Sequence, residues 1–217
     1  MTVRLALFDC DGTLVDGQAG VCDAMDAAFA DVGLAAPDRH FVRRIVGLSL
    51  PQAIRQLAPD VGEDQRAAVD TAYRTQFRAA REGGSLVEPL YDGMAELVAD
   101  LGAVGWVLGV ATGKSQRGLE HCLATHGLTR HFATLQTADH NPSKPHPAMV
   151  YSALAETGAE PDQCVMIGDT VFDIAMAKAA GVRALGVDWG YHTAAELLQA
   201  GAEAVARDPA HLKELIG

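Results

Sequence analysis

The chain has 217 residues, of which 49% are hydrophobic and 21% are charged, a composition typical of a globular protein with one full core and a small accessory domain. Its net charge of −11 argues against a nucleic-acid partner, because a phosphate backbone requires a basic surface. No apolar run reaches the ~20 residues that span a bilayer, and the cysteines lack CxxC spacing, so we expect a cytoplasmic protein with reduced thiols and no membrane partner.

The first predicted strand, at about 3–9, is followed by a long stretch that contains only helical patterns. Candidate helices lie near 17–32, 37–46, 51–58 and 63–82. We therefore expect residues 16–88 to form an all-helical insertion between the first and second core strands, called the helical insertion below. Gly83, Gly84 and Pro89 are typical of the linker that returns the chain to the core.

Strands and helices alternate over the rest of the chain. Short apolar runs predict strands near 106–111, 132–135, 164–168, 183–187 and 203–206. Helical patterns lie near 92–102, 115–125, 145–157, 172–180 and 193–200. This alternation predicts an α/β fold with a doubly wound parallel sheet, built from residues 1–15 and 89–217.

Two carboxylates stand at the end of the first predicted strand. Asp9 and Asp11 separate an apolar run from a turn at Gly12 and Thr13. Asp-Gly alone is a common turn, but like charges this close repel, and they persist only where a cation or a shared proton compensates them. The pair therefore indicates an active site.

Three other predicted strands end in polar residues of the same kind. Thr112 and Gly113 open a helix whose free N–H groups can hold an anion. Lys144 lies between turn residues, and Asp169 and Asp173 follow the strand near 164–168. Because ligands bind at the carboxyl ends of parallel strands, we expect these residues to converge with Asp9 and Asp11 on one edge.

Each of these residues also has a simpler interpretation. Thr112 is a possible helix N-cap, and Lys144 a possible solvated loop residue. Asp169 is able to cap the following helix, with Asp173 on its exposed face. These roles would be independent coincidences, whereas a single active site accounts for all of them.

The ordered motifs resemble those of the haloacid dehalogenase-like hydrolase superfamily. The matching residues are Asp9-x-Asp11-Gly12-Thr13, Thr112, Lys144-Pro145 and Gly168-Asp169 with Asp173, which cover nearly the whole chain. The helical insertion resembles the small helical cap of this superfamily. Three further segments are similar to those of its phosphoglycolate-phosphatase-like members: Val46-Gly47-Leu48-Ser49, Lys144-Pro145-His146-Pro147 and Val187-Asp188-Trp189-Gly190-Tyr191.

The resemblance implies a phosphatase that works through a covalent aspartyl-phosphate. Asp9 corresponds to the nucleophile, and Asp11 to the general acid and base. The residues implied to hold the phosphoryl oxygens are Thr112 and Lys144, together with backbone N–H groups at Gly12 and Gly113. The expected substrate is a small-molecule phosphomonoester, either phosphoglycolate-like or a sugar phosphate, and the expected assembly is a monomer or a homodimer.

The resemblance also implies a Mg²⁺ cofactor, which favours oxygen ligands from a few carboxylates, waters and phosphate. The implied protein ligands are Asp9, Asp169 and the backbone carbonyl of Asp11. Asp173, one helical turn further on, is expected to orient metal-bound waters or Lys144.

Other reactions of the superfamily fit these residues less well. A dehalogenase needs no general acid at Asp11, and phosphonoacetaldehyde hydrolysis needs a cap lysine, which the helical insertion lacks. Sugar-phosphate mutases usually carry an arginine just after the cap glycine, where this chain has Leu48. Arg43 and Arg44 are alternative candidates for that substrate contact, or else form an exposed helix face. A mutase and a catalytically idle binding protein stay open as alternatives.

Overall fold

A six-stranded parallel sheet forms the centre of the computed structural model, which describes residues 2–217. The strands are β1 (Arg4–Phe8), β2 (Trp106–Thr112), β3 (Phe132–Thr137), β4 (Cys164–Gly168), β5 (Arg183–Val187) and β6 (Ala204–Ala206). Their order is β3-β2-β1-β4-β5-β6, and every neighbouring pair is parallel. This confirms the predicted doubly wound α/β fold. Met1, the first residue of the predicted core, lies outside the described residues.

The central strands are apolar because both faces of the sheet are covered. Side chains alternate between the faces along β1. Phe8 packs in an apolar cluster on one face with Val110 of β2. Leu7 packs in the cluster on the opposite face with Met166 of β4. The carboxyl edge of the sheet is therefore supported by a buried apolar framework.

Within residues 2–217, four α-helices form the helical insertion and six more surround the sheet. The insertion contains α1 (Gln18–Asp31), α2 (Arg39–Arg44), α3 (Leu50–Leu57) and α4 (Glu63–Glu82). The others are α5 (Met94–Ala103), α6 (Gln116–Thr125), α7 (Ala148–Thr157), α8 (Val171–Ala180), α9 (Ala194–Ala200) and α10 (Pro209–Ile216). Over residues 2–217, no helix is both long enough and apolar enough to cross a membrane.

Two helix predictions need correction. The predicted start at 145 was wrong, because Pro147 disfavours helical backbone at the residue before it, and α7 begins at Ala148. The last helix, α10, was not predicted. Its signal was present in the sequence, since Asp208 caps the helix by accepting a hydrogen bond from the His211 N–H, and Pro209 occupies the first helical position.

The helical insertion leaves and rejoins the core at one point. The Asp16 N–H donates to the Pro89 carbonyl at 2.8 Å, so the two connecting segments run side by side just beyond Asp11. The insertion has its own apolar cluster, which includes Phe29 and Ile54. Its assignment to residues 16–88 as a separate domain stays a prediction.

Candidate active site

The predicted polar residues lie along the carboxyl edge of three adjacent strands. Asp9 directly follows β1, Thr112 ends β2, and Asp169 directly follows β4. Lys144 reaches the same place from the loop before α7 and, like Asp9 and Asp169, is fully buried. Burial of so many charged groups is costly unless they pair with one another or with a ligand.

Lys144 forms ion pairs with two acids, Asp9 at the end of β1 and Asp173 in α8. Its Nζ lies 2.9 Å from Asp9 Oδ1 and 2.6 Å from Asp173 Oδ1. Burial alone lowers the pKa of Lys144, but the charges of Asp173 and Asp9 outweigh it and raise the pKa above its ordinary value. Lys144 is therefore a fixed ammonium cation beside the side chain of Asp9.

Neutral donors hold Asp169 and also the second carboxylate oxygen of Asp173. The Thr13 hydroxyl donates to Asp169 Oδ1 and the Tyr191 N–H donates to Asp169 Oδ2, both at 2.9 Å. Thr170 donates to Asp173 Oδ2 through its N–H at 3.0 Å and through its hydroxyl at 2.7 Å. These contacts fix both carboxylates without neutralising them.

Gly12 makes room for Asp169. It has a φ of 84°, and a Cβ at this position would collide with the Asp169 carboxylate. Its N–H donates to the Val15 carbonyl at 2.8 Å. The predicted contact between the Gly12 N–H and phosphate is therefore not prepared in this structure and stays a prediction.

Three carboxylates fit a divalent metal ion. Asp9, Asp169 and Asp173 each offer an oxygen, and these atoms lie within 4.8 Å of one another. Asp9 Oδ2 is buried and has no hydrogen-bond partner among the described residues. Lys144 alone leaves this cluster with excess negative charge, and oxygen atoms of carboxylates are the ligands that Mg²⁺ prefers.

The pKa values of the acids reflect the same excess of negative charge. Burial raises the pKa of Asp9 to about 7, although Lys144 acts in the opposite direction. The pKa of Asp169 is also raised, first by burial and then by the charges of Asp173 and Asp9. A bound cation would favour the ionised form of both groups.

The side chain of Asp11 lies apart from this cluster and forms a different ion pair. Its Oδ1 and Oδ2 accept from Lys114 Nζ at 2.7 and 2.9 Å, and Lys114 also contacts Glu88 Oε1 at 2.8 Å. Burial lowers the pKa of Lys114, but Asp11 and other neighbours raise it well above its ordinary value. The predicted metal contact of Asp11 involves its backbone carbonyl, which stays a prediction.

Sequence reasoning did not identify Lys114 or Glu88 as site residues. A signal existed for Lys114, which is one of only four lysines in the chain and lies two residues after Thr112. Glu88 belongs to the linker that returns from the helical insertion. Its role depends on the tertiary fold and had no local signal.

A loop of the helical insertion covers the end of β2. A Cβ on Gly113 would lie 2.5 Å from the Leu48 carbonyl oxygen and 2.6 Å from that of Gly47. The Ser49 N–H donates to the Ser143 hydroxyl at 2.8 Å. The loop therefore contacts the core on two sides of the site.

The two predicted cap arginines lie elsewhere. Arg44 binds Glu196 of α9 through two hydrogen bonds, at 2.6 and 3.0 Å, and donates to the Tyr191 carbonyl at 3.2 Å. His192 Nε2 donates to the Arg44 carbonyl at 2.9 Å. Arg44 thus links the helical insertion to α9. Neither it nor Arg43 lines the cavity beside Asp11, and the substrate contact expected of them stays a prediction.

A cavity of about 390 Å³ opens between the helical insertion and the carboxyl edge of the sheet. Asp11, Thr112 and Lys114 form its floor, and α1, α4 and the loop around Leu48 form its other walls. This volume is typical of a small-molecule site. Asp11, Thr112 and Lys114 line this cavity at the same carboxyl edge that carries the buried acidic cluster and Lys144, which is where ligands bind in parallel α/β enzymes.

The chain belongs to the haloacid dehalogenase-like hydrolase family, whose model matches residues 6–187. It is 37% identical to the probable phosphatase IndB of Dickeya dadantii over 198 residues, which are 89% of this chain and 84% of IndB. It is 34% identical to the phosphoglycolate phosphatase of Rhodospirillum rubrum, with 99% of this chain and 91% of that protein covered.

A solved structure confirms the fold. The crystal structure of a predicted phosphatase from Clostridium acetobutylicum superimposes with a TM-score of 0.88, covers 100% of this chain and 99% of that one, and is 24% identical in sequence. The family model and the relatives therefore confirm the predicted family, and the solved structure confirms the predicted fold.

Proposed function

We propose that this chain hydrolyses a small-molecule phosphomonoester, phosphoglycolate-like or a sugar phosphate, through an aspartyl-phosphate on Asp9. The observation that carries the proposal is Asp9 Oδ2, a buried carboxylate oxygen that has no hydrogen-bond partner in the described chain. Its companion Oδ1 is held by Lys144 and by the Cys10 N–H at 2.6 Å, which leaves Oδ2 free to attack. The names of the two relatives described above support a phosphatase activity.

The reaction divides into two displacements at phosphorus. In the first, Asp9 Oδ2 forms a bond to phosphorus, the bond to the ester oxygen breaks, and Asp11, protonated and released from Lys114, donates its proton to the departing alkoxide. In the second, water attacks the acyl-phosphate, Asp11 accepts a proton from it, and the bond between phosphorus and Asp9 breaks. The products are an alcohol and inorganic phosphate, and both aspartates return to their starting states.

The surrounding residues stabilise the transferred group. In this proposal Lys144 and Thr112 hold its non-bridging oxygens, and Asp173 keeps Lys144 in position through the 2.6 Å ion pair. Asp9, Asp169 and the Asp11 carbonyl are the proposed Mg²⁺ ligands. When bound, Mg²⁺ supplies positive charge that offsets the phosphoryl oxygens and the buried carboxylates.

The test is phosphate release from 4-nitrophenyl phosphate, with Mg²⁺ and after its removal by chelation. We expect turnover that requires Mg²⁺, and a loss of at least about a thousandfold in kcat for Asp9→Asn, which keeps the shape but removes the nucleophile. Asp92→Asn is the matched control, because Asp92 is exposed and lies outside the cavity. An inactive wild type, or an active Asp9→Asn variant, would contradict the proposal.

Product analysis with sugar phosphates separates hydrolysis from isomerisation. We expect one free phosphate for each ester consumed. An isomerised sugar phosphate without free phosphate would instead identify a mutase.

A further inference from the structure

A row of arginines on α4 faces the cavity. Arg74, Arg78 and Arg81 are spaced by four and three residues, which places them on one side of the helix, and all three line the cavity. Arg117 of α6 contributes a fourth guanidinium to the same lining. In a chain with a net charge of −11, this row is a local concentration of positive charge.

Among the residues that the structure describes, two of the four arginines have no acidic partner. Arg74 pairs with Asp70 at 2.5 Å, and Arg117 pairs with Glu82 at 3.5 Å. Over the described chain, Arg78 and Arg81 form no ion pair. Arg81 Nε is also buried without a hydrogen-bond partner among residues 2–217. An unsatisfied buried donor is unfavourable, so Arg81 is suited to an anion that enters the cavity.

An aromatic pair connects these arginines with the reacting end of the cavity. The rings of Tyr73 and Phe77 stack with their centroids 5.6 Å apart. Arg81 Cζ and Lys114 Nζ each lie 5.7 Å from the centroid of the Phe77 ring. A ligand that reaches from the site at Asp11 to Arg81 therefore passes along an aromatic surface.

We propose that the substrate carries a second anionic group, a carboxylate or a phosphate, at the end remote from the reacting phosphoryl group. Arg78 and Arg81 bind this second group, and the body between the two anions packs against Tyr73 and Phe77. This inference rests on the proposed phosphatase function and adds a substrate class to it. Two anion-binding ends separated by an apolar wall select an elongated ester that carries a second anionic group over an ester that is short or lacks this group.

The test compares two esters that differ only in the remote charge, 4-carboxyphenyl phosphate and its neutral analogue 4-carbamoylphenyl phosphate. We expect Arg78→Gln and Arg81→Gln each to lower kcat/KM about tenfold for the acid, the usual worth of one charge-assisted hydrogen bond. For the amide the expected change is small. The ratio of kcat/KM for the acid to kcat/KM for the amide is compared between wild type and each variant. This comparison cancels the different leaving-group chemistry of the two esters.

Two further variants act as controls. Arg55→Gln removes an exposed arginine of the same helical insertion that pairs with Glu63 and lies outside the cavity, and its acid-to-amide ratio should equal that of wild type. Arg81→Lys keeps the charge and should retain most of the preference for the acid. A phenylene bisphosphate in place of the carboxylate ester shows which remote anion is preferred.

Binding measurements separate this inference from the proposed function. Calorimetry with benzylphosphonate and 4-carboxybenzylphosphonate reports the charge preference without any turnover. Tighter binding of the carboxylated compound that Arg78→Gln and Arg81→Gln abolish would support the inference, even in a chain that does not hydrolyse 4-nitrophenyl phosphate. Equal binding of both phosphonates by wild type, or variants that weaken both equally, would overturn it while leaving the phosphatase proposal intact.

Discussion

At the scale of single residues, two lysines divide the acids of the site into two groups. Lys144 binds the acid that we propose as nucleophile, Asp9, at 2.9 Å. Lys114 binds Asp11 and Glu88 and is only 7% exposed. The two neighbouring aspartates therefore have different surroundings, which is the usual way in which one pair of carboxylates takes two roles.

The Lys114 ion pairs lead to a prediction about stability. Lys114→Met leaves Asp11 and Glu88 close together without a cation, so we expect the free energy of unfolding to fall by about 3–5 kcal/mol, the usual loss for breaking a buried pair. Adding Glu88→Gln removes one of the two facing charges and should restore part of the loss. Urea unfolding of the single and double variants measures both effects. A double variant no more stable than Lys114→Met would show that the two acids do not repel.

At the scale of elements, the contact between the loop at Gly47 and Leu48 and the end of β2 sets how the helical insertion meets the core. Gly113 permits this contact, because a Cβ there would lie 2.5 and 2.6 Å from two carbonyl oxygens, well inside van der Waals contact. The absence of a side chain at Gly113 therefore allows the loop to approach the end of β2.

Adding one methyl group tests the contact. We expect Gly113→Ala to lower the free energy of unfolding by about 1–3 kcal/mol, as overpacking does elsewhere. Gly102→Ala is the control, since Gly102 lies within α5 with open space around it, and alanine there should stabilise the helix by up to about 1 kcal/mol. We expect urea unfolding to show a lower free energy of unfolding for Gly113→Ala and a higher one for Gly102→Ala. A Gly113→Ala variant as stable as wild type would mean that the loop is not seated on β2.

At the scale of elements, some features of the fold and site were predictable from the sequence and others were not. The strands, the order of the motifs and the convergence of Asp9, Thr112, Lys144 and Asp169 were predictable, because parallel strands place their carboxyl ends on one edge. The partners of Arg44 were not, since Glu196 lies 152 residues away and meets it only when the helical insertion packs on α9. The role of the arginine row on α4 was not predictable either, because its spacing fits a solvated helix face equally well.

At the scale of the whole molecule, charge is distributed unevenly between the interior and the cavity. Three buried acids share one lysine at the sheet edge, whereas Arg78 and Arg81, which form no ion pair within residues 2–217, line the cavity. The first arrangement attracts a cation and the second attracts an anion. A chain with a net charge of −11 can in this way bind a negatively charged ester.

Metal binding should be visible in global stability. We expect Mg²⁺ to raise the melting temperature, because a ligand at 100 times its Kd stabilises the folded state by about 2.7 kcal/mol. Asp169→Asn removes a proposed ligand and should abolish the Mg²⁺-dependent increase, whereas exposed Asp92→Asn should keep it. An unchanged increase in Asp169→Asn would place the ion elsewhere.

The covalent intermediate is the most direct test of the central claim, that this chain hydrolyses phosphomonoesters through Asp9. Borohydride reduces an aspartyl-phosphate to homoserine, so protein quenched during turnover and then reduced carries a permanent mark that peptide mass spectrometry can locate. We predict homoserine at position 9, only when substrate is present. Rapid turnover that leaves Asp9 unmodified, or homoserine at another aspartate, would contradict the mechanism.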